Sequence, residues 1–182
     1  MIERMALYIA KSIKRANPEK TASVEVMQYS LIAIIGTGSA IFLSIVFAAI
    51  LGTTAQTISV LVSFMILRAF SGGYHFESAE KCALVSIFGA VVIPLIPLND
   101  TANDILLTVA FVLILLLVPK GKNQSRIFSR KHYPLLKLIS LVIVTSNYWF
   151  GLPEVTLSFL VQALSLLPLI WKGGERSEQS RY

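Results

Sequence analysis

The sequence predicts an all-α, polytopic integral membrane protein, and three observations support this class. Apolar residues make up 55% of the 182-residue chain and charged residues only 14%, a balance that is untypical of soluble domains. No charged residue occurs between Val26 and Leu67. Since one membrane-spanning helix needs about 20 residues, that stretch is long enough for a hairpin of two such helices. We therefore treat residues 1–182 as a single integral membrane domain.

Apolar runs separated by polar breaks predict six membrane-spanning helices, with four as the smallest count that fits. The runs lie at about 29–50, 54–70, 83–98, 104–118, 136–152 and 155–171. Only fourteen residues separate Asp104 from Pro119, so a re-entrant segment stays open as the alternative there. Pro94 and Pro97 are expected to kink or end the third helix, because proline removes a backbone donor.

Residues 1–16 are predicted to form an amphipathic helix at the membrane interface. Apolar side chains recur at helical spacing on one face, namely Ile2, Met5, Ile9 and Ile13, and basic side chains occupy the opposite face. A helix of this kind anchors on anionic lipid. The alternative is that it presents a substrate or a second subunit.

Lysine and arginine are confined to alternate connections, and this predicts the orientation. The basic stretches are residues 1–28, the loop at 119–134 and the tail after 171, whereas the connections at 51–53, 99–103 and 152–154 have no lysine or arginine. Basic residues in short loops stay on the cytoplasmic side. Both termini and the segment 68–82 are therefore expected to face the cytoplasm, at the cell membrane.

The net charge of +6 follows from this basic inner face. The positive charge is spread over separate loops that flank the membrane. Such a distribution does not form a nucleic-acid-binding surface, so no nucleic-acid partner is expected.

The polar break at 68–82 holds the residues that are most informative about chemistry. Cys82 is the sole cysteine of the chain, and His75 precedes it by seven residues. If residues 75–82 are helical, the two side chains share a face but lie roughly 10 Å apart along the axis, too far for a hydrogen bond. The pair Gly72-Gly73 provides a hinge that can fold His75 back toward the thiol.

A lone cysteine in a membrane protein is commonly a small packing residue, and that alternative stays open for Cys82. One cysteine excludes an internal disulfide, and one Cys with one His is too small a set for a structural zinc site. We expect no metal and no other cofactor. Polar clusters beside a membrane are costly and tend to be functional. Nucleophilic catalysis suits these groups, because His75 can take the thiol proton and later protonate a leaving amine.

The run Arg68…Gly72-Gly73-Tyr74-His75…Cys82 resembles the signature of the accessory gene regulator B (AgrB) family, integral-membrane cysteine endopeptidases that process quorum-sensing propeptides in Gram-positive bacteria. Chain length, hydropathy, the basic first helix and the basic loop after the fourth span are also similar, over essentially the whole chain.

The resemblance implies that Cys82 attacks a peptide bond of a small propeptide, with His75 as general base and then acid. The product would be an acyl-enzyme thioester. A cysteine or serine of the bound peptide would then close a thiolactone or lactone ring. The family also implies a homodimer.

Other polar residues of the segment are weaker candidates. Arg68 would bind substrate carboxylates or steady the oxyanion, or would only snorkel to the headgroups. The amides of Gly72 and Gly73 would form an oxyanion hole, or the glycines would only end the second span. Glu77 and Glu80 are alternatives for a carboxylate that orients His75, and the sequence does not choose between them.

The expected substrate is a small membrane-associated propeptide with an acidic C-terminal tail, which the basic loop at 119–134 would attract. A noncatalytic membrane scaffold or a transporter subunit is the alternative function. A transporter normally places ionisable groups within its helices, whereas those of this chain lie mainly in loops. A scaffold would tolerate replacement of Cys82 and His75.

Overall fold

The structure is a computed structural model that describes residues 2–72, 79–118 and 133–167, and the all-α class is confirmed. The described residues form seven α-helices: α1 (Ile2–Ala16), α2 (Val24–Leu51), α3 (Thr54–Ser71), α4 (Ala79–Val92), α5 (Asp100–Leu117), α6 (Tyr133–Phe150) and α7 (Pro153–Leu164). A short 3-10 helix, Ile93–Leu95, follows α4.

The six predicted spans correspond in order to α2–α7, but only some of these helices have the dimensions of a membrane span. Three helices in the described part are long and apolar enough to cross a membrane, namely α2, α3 and α5. Helix α4 has 14 residues and α7 has 12, fewer than the predicted third and sixth spans.

Helix α5 is longer than the sequence suggested, and this corrects the predicted start at 104. The side-chain oxygen of Asn99 accepts a hydrogen bond from Ala102 N at 2.8 Å and caps the helix. Residues 100–103, which were assigned to a connection, therefore form its first turn. The acidic Asp100 suits this place, because a helix N-terminus favours negative charge. The segment is one continuous helix of 18 residues.

The end of α4 confirms the prediction from its prolines. The α-helix ends at Val92, and Pro94 lies in the 3-10 helix that follows. Proline has no N–H to donate to the preceding turn, so a regular helix does not continue through it.

Small side chains line the buried face of α2, while large apolar side chains of this helix face outward. Helix α2 buries Gly36, Ala40, Ser44 and Ala48, one on each successive turn. On the same helix Ile50 is 76% exposed. Small residues allow close helix packing in lipid, where apolar side chains gain nothing by turning inward. With its three apolar helices, this distribution identifies a membrane protein.

The main apolar core lies among α3, α5, α6 and α7. Its buried residues include Leu67, Leu107, Ile114, Val144 and Phe159. Helices α1 and α4 pack against α2, and α3 contacts α2 as well as α6 and α7. Helix α2 thus packs against both α3 and α4, which also contact each other.

Helix α1 forms where the sequence predicted it, and it packs on α2 with Ala6 and Ala10 fully buried. Met5 and Ile13, on the predicted lipid-facing side, stay 50% and 39% exposed. The face that contacts protein is therefore next to the apolar face that the sequence singled out. Its residence at the membrane interface stays a prediction.

Candidate functional site

Arg68 lies in the last turn of α3 and is held by an aromatic ring. Its guanidinium carbon is 5.6 Å from the centroid of the Phe64 ring, one turn earlier on the same helix. Residues four apart on a helix are neighbours, and a guanidinium over an aromatic face gains a cation–π attraction. The side chain is only partly exposed. The contact with Phe64 restricts where the Arg68 charge can lie.

Cys82 carries a free, half-buried thiol near the start of α4. Helices α3 and α4 contact each other, and the guanidinium charge of Arg68 interacts electrostatically with Cys82. Two of the residues that the sequence singled out are therefore coupled across the polar break.

Gly72 ends α3 in a conformation that glycine alone adopts readily. Its φ is 77° and its ψ is −157°, in a region that a Cβ atom makes strained. Its N–H donates to the carbonyl oxygen of Arg68 at 3.0 Å. Of the two roles the sequence left open, the structure describes the one that ends the helix. An oxyanion-hole role for this amide would need the bond to Arg68 to break.

Gln162 on α7 is a site neighbour that the sequence reasoning missed. Its side-chain Nε2 donates to Ser71 Oγ at 2.9 Å and to the Gly72 carbonyl oxygen at 2.6 Å. Gln162 and Ser71 are both fully buried. Its sequence signal is a single glutamine within the apolar run at 155–171, and nothing in the sequence names its partners.

Glu80 contacts the start of the chain. Its Oε1 accepts a hydrogen bond from Ile2 N at 3.2 Å. Hydrogen bonds from the α-amino group and from Ile2 N, together with the positive charge of that amine, lower the pKa of this exposed carboxylate. The sequence put Glu80 forward to orient His75, whereas its described partner is helix α1.

Three of the predicted site residues, Gly73, His75 and Glu77, lie outside the described residues. The predicted approach of the imidazole to the thiol therefore stays a prediction. Within the described ranges, no three His, Cys, Asp or Glu side chains are grouped so that they could hold a metal ion.

A second polar contact joins α3 and α7 farther from the site. Ser63 Oγ donates to Ser158 Oγ at 3.0 Å, and Ser158 Oγ donates to the Val60 carbonyl oxygen at 3.2 Å. The buried polar side chains in the described part are Ser, Thr, Asn and Gln, none of which ionises.

Comparison with known proteins places the chain in a family. The family model for accessory gene regulator B matches residues 2–169. An AgrB-like protein of Halalkalibacterium halodurans is 24% identical over 197 aligned positions, which cover 99% of this chain and 100% of the relative. An AgrB-like protein of Listeria monocytogenes serotype 4a is 26% identical over 137 positions, or 69% of this chain and 67% of the relative. No solved structure matches significantly. The chain therefore belongs to the accessory gene regulator B family.

Proposed function

We propose that this protein is a membrane-embedded cysteine endopeptidase that removes the C-terminal tail of a small quorum-sensing propeptide. Membership of the family indicates a part in the processing of such peptides. The observation that carries the enzymatic proposal is the electrostatic interaction between the Arg68 guanidinium and the half-buried Cys82, on two helices that contact each other. A packing cysteine needs no cation next to it, whereas a nucleophilic cysteine is activated by one.

In the first step Cys82 is the nucleophile and His75 is the general base. His75 takes the Sγ proton, and the thiolate attacks the carbonyl carbon of the scissile peptide bond. The Arg68 guanidinium offsets the negative charge, first on sulfur and then on the tetrahedral oxyanion. The C–N bond then breaks, the imidazolium returns the proton to the leaving amine, and the C-terminal tail departs. The acylated peptide stays on Cys82 as a thioester.

In the second step a cysteine thiol or serine hydroxyl of the bound peptide attacks the thioester carbonyl. The C–S bond to Cys82 breaks, the nucleophile's proton passes through His75 to the Cys82 thiolate, and a thiolactone or lactone ring is released. Exchange of one thioester for another is nearly neutral in free energy, so water would divert the intermediate to a linear acid. A site at a membrane surface that restricts water favours ring closure.

The proposed topology has six spans, α2–α7, with both termini and the site on the cytoplasmic side. The alternation of basic connections supports it. Helix α6 and the short helices α4 and α7 are the spans that this proposal adds to the three helices that are long and apolar enough to cross a membrane. Helix α1 would lie on the inner leaflet, where the amphipathic start of a propeptide also binds. The enzyme would act as a homodimer, as the family resemblance implies.

The experiment that tests the proposal measures the rate of Cys82 alkylation against pH in native membranes, because the chain has a single cysteine. Wild-type protein, His75→Ala and Arg68→Gln are compared. We expect the wild-type thiol to react rapidly at neutral pH, and both substitutions to move the half-maximal rate to higher pH. If Cys82 is alkylated slowly in the wild type and neither substitution changes the rate, the peptidase proposal is overturned.

A parallel assay follows cleavage of a membrane-bound propeptide with an acidic tail. Cys82→Ala and His75→Ala should each abolish release of the tail. Cys82→Ser should form little acyl-enzyme, because a serine hydroxyl at this position is a much weaker nucleophile than a thiolate. Full retention of release by Cys82→Ala would instead indicate a noncatalytic scaffold that acts beside another peptidase.

A further inference from the structure

The amide side chain of Gln162 connects α7 to the end of the helix that carries Arg68. Both N–H groups of its Nε2 are engaged, one with Ser71 Oγ at 2.9 Å and the other with the Gly72 carbonyl oxygen at 2.6 Å. Its other amide atom, Oε1, is 3.4 Å from Ser165 Oγ, whose hydroxyl lies closer to the backbone carbonyl oxygen of Gln162, at 2.7 Å. A carbonyl can only accept, so the contact with Gly72 fixes the orientation of the amide.

The surroundings make this contact costly to lose. Gln162 and Ser71 are fully buried, and a buried primary amide without partners carries a large desolvation penalty. In a continuing helix, the Gly72 carbonyl oxygen would accept a hydrogen bond from an N–H of the next turn. Because α3 ends at Ser71 and the chain turns at Gly72, with φ 77°, the helix does not provide that donor. Gln162 and Ser71, which donates to the same oxygen at 3.2 Å, take the place of that donor.

Two hydrogen bonds therefore hold the last turn of α3 from opposite directions. Within the chain, the Gly72 N–H donates to the carbonyl oxygen of Arg68 at 3.0 Å. From α7, Gln162 holds the carbonyl oxygen of the same glycine. The backbone of Arg68 is thus linked to α7 through one residue.

We propose that Gln162 is a positioning residue, which fixes the final turn of α3 so that the Arg68 guanidinium stays beside the Cys82 thiol. It touches neither substrate nor thiol, and acts through Gly72 and Arg68. This inference rests on the proposed function, because its readout is the reactivity of an activated Cys82.

The test compares the pH profile of Cys82 alkylation in full-length protein in membranes for wild type, Gln162→Met and Ser158→Ala. Methionine has a similar length and no amide. Ser158→Ala is the matched control, because it also removes buried hydrogen bonds between α3 and α7, those to Ser63 and to the Val60 carbonyl oxygen. We expect Gln162→Met to slow alkylation at neutral pH by about two- to tenfold, at the lower end of the coupling found between residues of one contact network, and to shift the profile to higher pH. Ser158→Ala should keep the wild-type profile.

A double substitution separates positioning from general loosening of the bundle. In an Arg68→Gln background, Gln162→Met should change the alkylation rate no further, because the charge that it positions is gone. Equal slowing in both backgrounds, or equal slowing by Ser158→Ala, would overturn the positioning role. If Gln162→Met is not recovered folded, Gln162→Asn replaces it, since it keeps the amide but withdraws it by one methylene. The same direction of change is expected, and an unchanged profile overturns the inference.

Failure of this inference can be told apart from failure of the peptidase. If the alkylation rate of Cys82 depends on Arg68 and His75 but not on Gln162, the peptidase proposal stands and the positioning role is rejected. If the rate depends on none of the three residues, both proposals are rejected.

Discussion

The backbone N–H of Ile2 donates to Oε1 of Glu80 at 3.2 Å, which joins the first turn of α1 to the first turn of α4 across 78 positions of sequence. Cys82 lies only two residues beyond Glu80. A second contact supports the same helix, because Gln28 Nε2 donates to the Glu3 carbonyl oxygen at 3.5 Å. The start of α1 is therefore fixed both to α2 and to the helix that carries the thiol.

We predict that docking of α1 weakens in acid through Glu80. The pKa of this carboxylate lies below its usual value of 4.5 in the folded protein, so the contact stabilises the docked helix above that value. The stabilisation is lost as the pH falls from 4.5 through the lowered pKa. Protection factors of the α1 amides, measured by hydrogen exchange and corrected for intrinsic pH dependence, should fall over this interval.

The substitution Glu80→Gln tests whether this carboxylate causes the loss of α1 docking in acid. Glu80→Gln should lower α1 protection at neutral pH and remove the acid-dependent step. Glu19→Gln, which alters an exposed carboxylate in the α1–α2 connection, should leave both unchanged. If the step persists in Glu80→Gln, another group governs the docking.

Gly72 is predicted to tolerate no side chain. With φ 77° and ψ −157°, an alanine there would be strained by about 1–3 kcal/mol, and the thermal midpoint in detergent should fall accordingly. Gly38→Ala serves as the control, because that glycine is in the interior of α2 and an added Cβ meets nothing within 4 Å. There, alanine should stabilise the protein by about 0.5–1 kcal/mol.

Substitution by asparagine distinguishes the backbone conformation of Gly52 from that of Gly72. Gly52 has φ 71° and ψ 19°, in the left-handed helical region that asparagine also visits, so Gly52→Asn should be nearly neutral. Gly72→Asn should be as harmful as Gly72→Ala, because its ψ lies far from that region. Equal tolerance of asparagine at both positions would contradict the backbone explanation.

The parts of the fold that follow from local rules were predictable. The charge-free stretch from Val26 to Leu67 located the hairpin of α2 and α3, because lipid excludes unpaired charge. The start of α5 was misplaced, since Asn99 and Asp100 resemble a loop until the cap is seen. Gln162 was missed for a different reason, because its partners are 90 and 91 positions away and no periodic pattern encodes such a pair.

For the candidate site as well, the residues within one short segment were predictable from the sequence and the contacts between helices were not. The sequence placed Arg68, Gly72 and Cys82 in one short segment, and their roles in a site stay predictions. The electrostatic interaction of Arg68 with Cys82 depends on how α3 and α4 pack, which spacing alone does not determine. The role of Glu80 in holding α1 likewise needed the tertiary contact with Ile2.

Asn147 is predicted to stabilise the bundle without affecting the thiol. Its Nδ2 donates to the Leu152 carbonyl oxygen at 2.9 Å and to Thr156 Oγ1 at 2.8 Å, which closes the turn between α6 and α7. Asn147→Leu removes this partner from the buried Thr156 hydroxyl, at a cost of about 1–3 kcal/mol. The thermal midpoint should fall well below that of Ser146→Ala, whose hydroxyl bonds only within its own helix. The pH profile of Cys82 alkylation should match the wild type, and a shifted profile would show that this distant turn also shapes the site.

Phe64 is predicted to affect Cys82 through Arg68. The ring holds the guanidinium at 5.6 Å, and a cation–π contact of about 0.5–2 kcal/mol corresponds to roughly two- to thirtyfold in the population of that position. Phe64→Leu should therefore slow alkylation at neutral pH by a factor within this range, and Phe64→Tyr should not, because tyrosine keeps the aromatic face. Phe47→Leu, an exposed change on α2, controls for altered packing in lipid. Equal slowing by leucine and tyrosine would mean that the shape of the ring, and not its attraction for the cation, sets the position of Arg68.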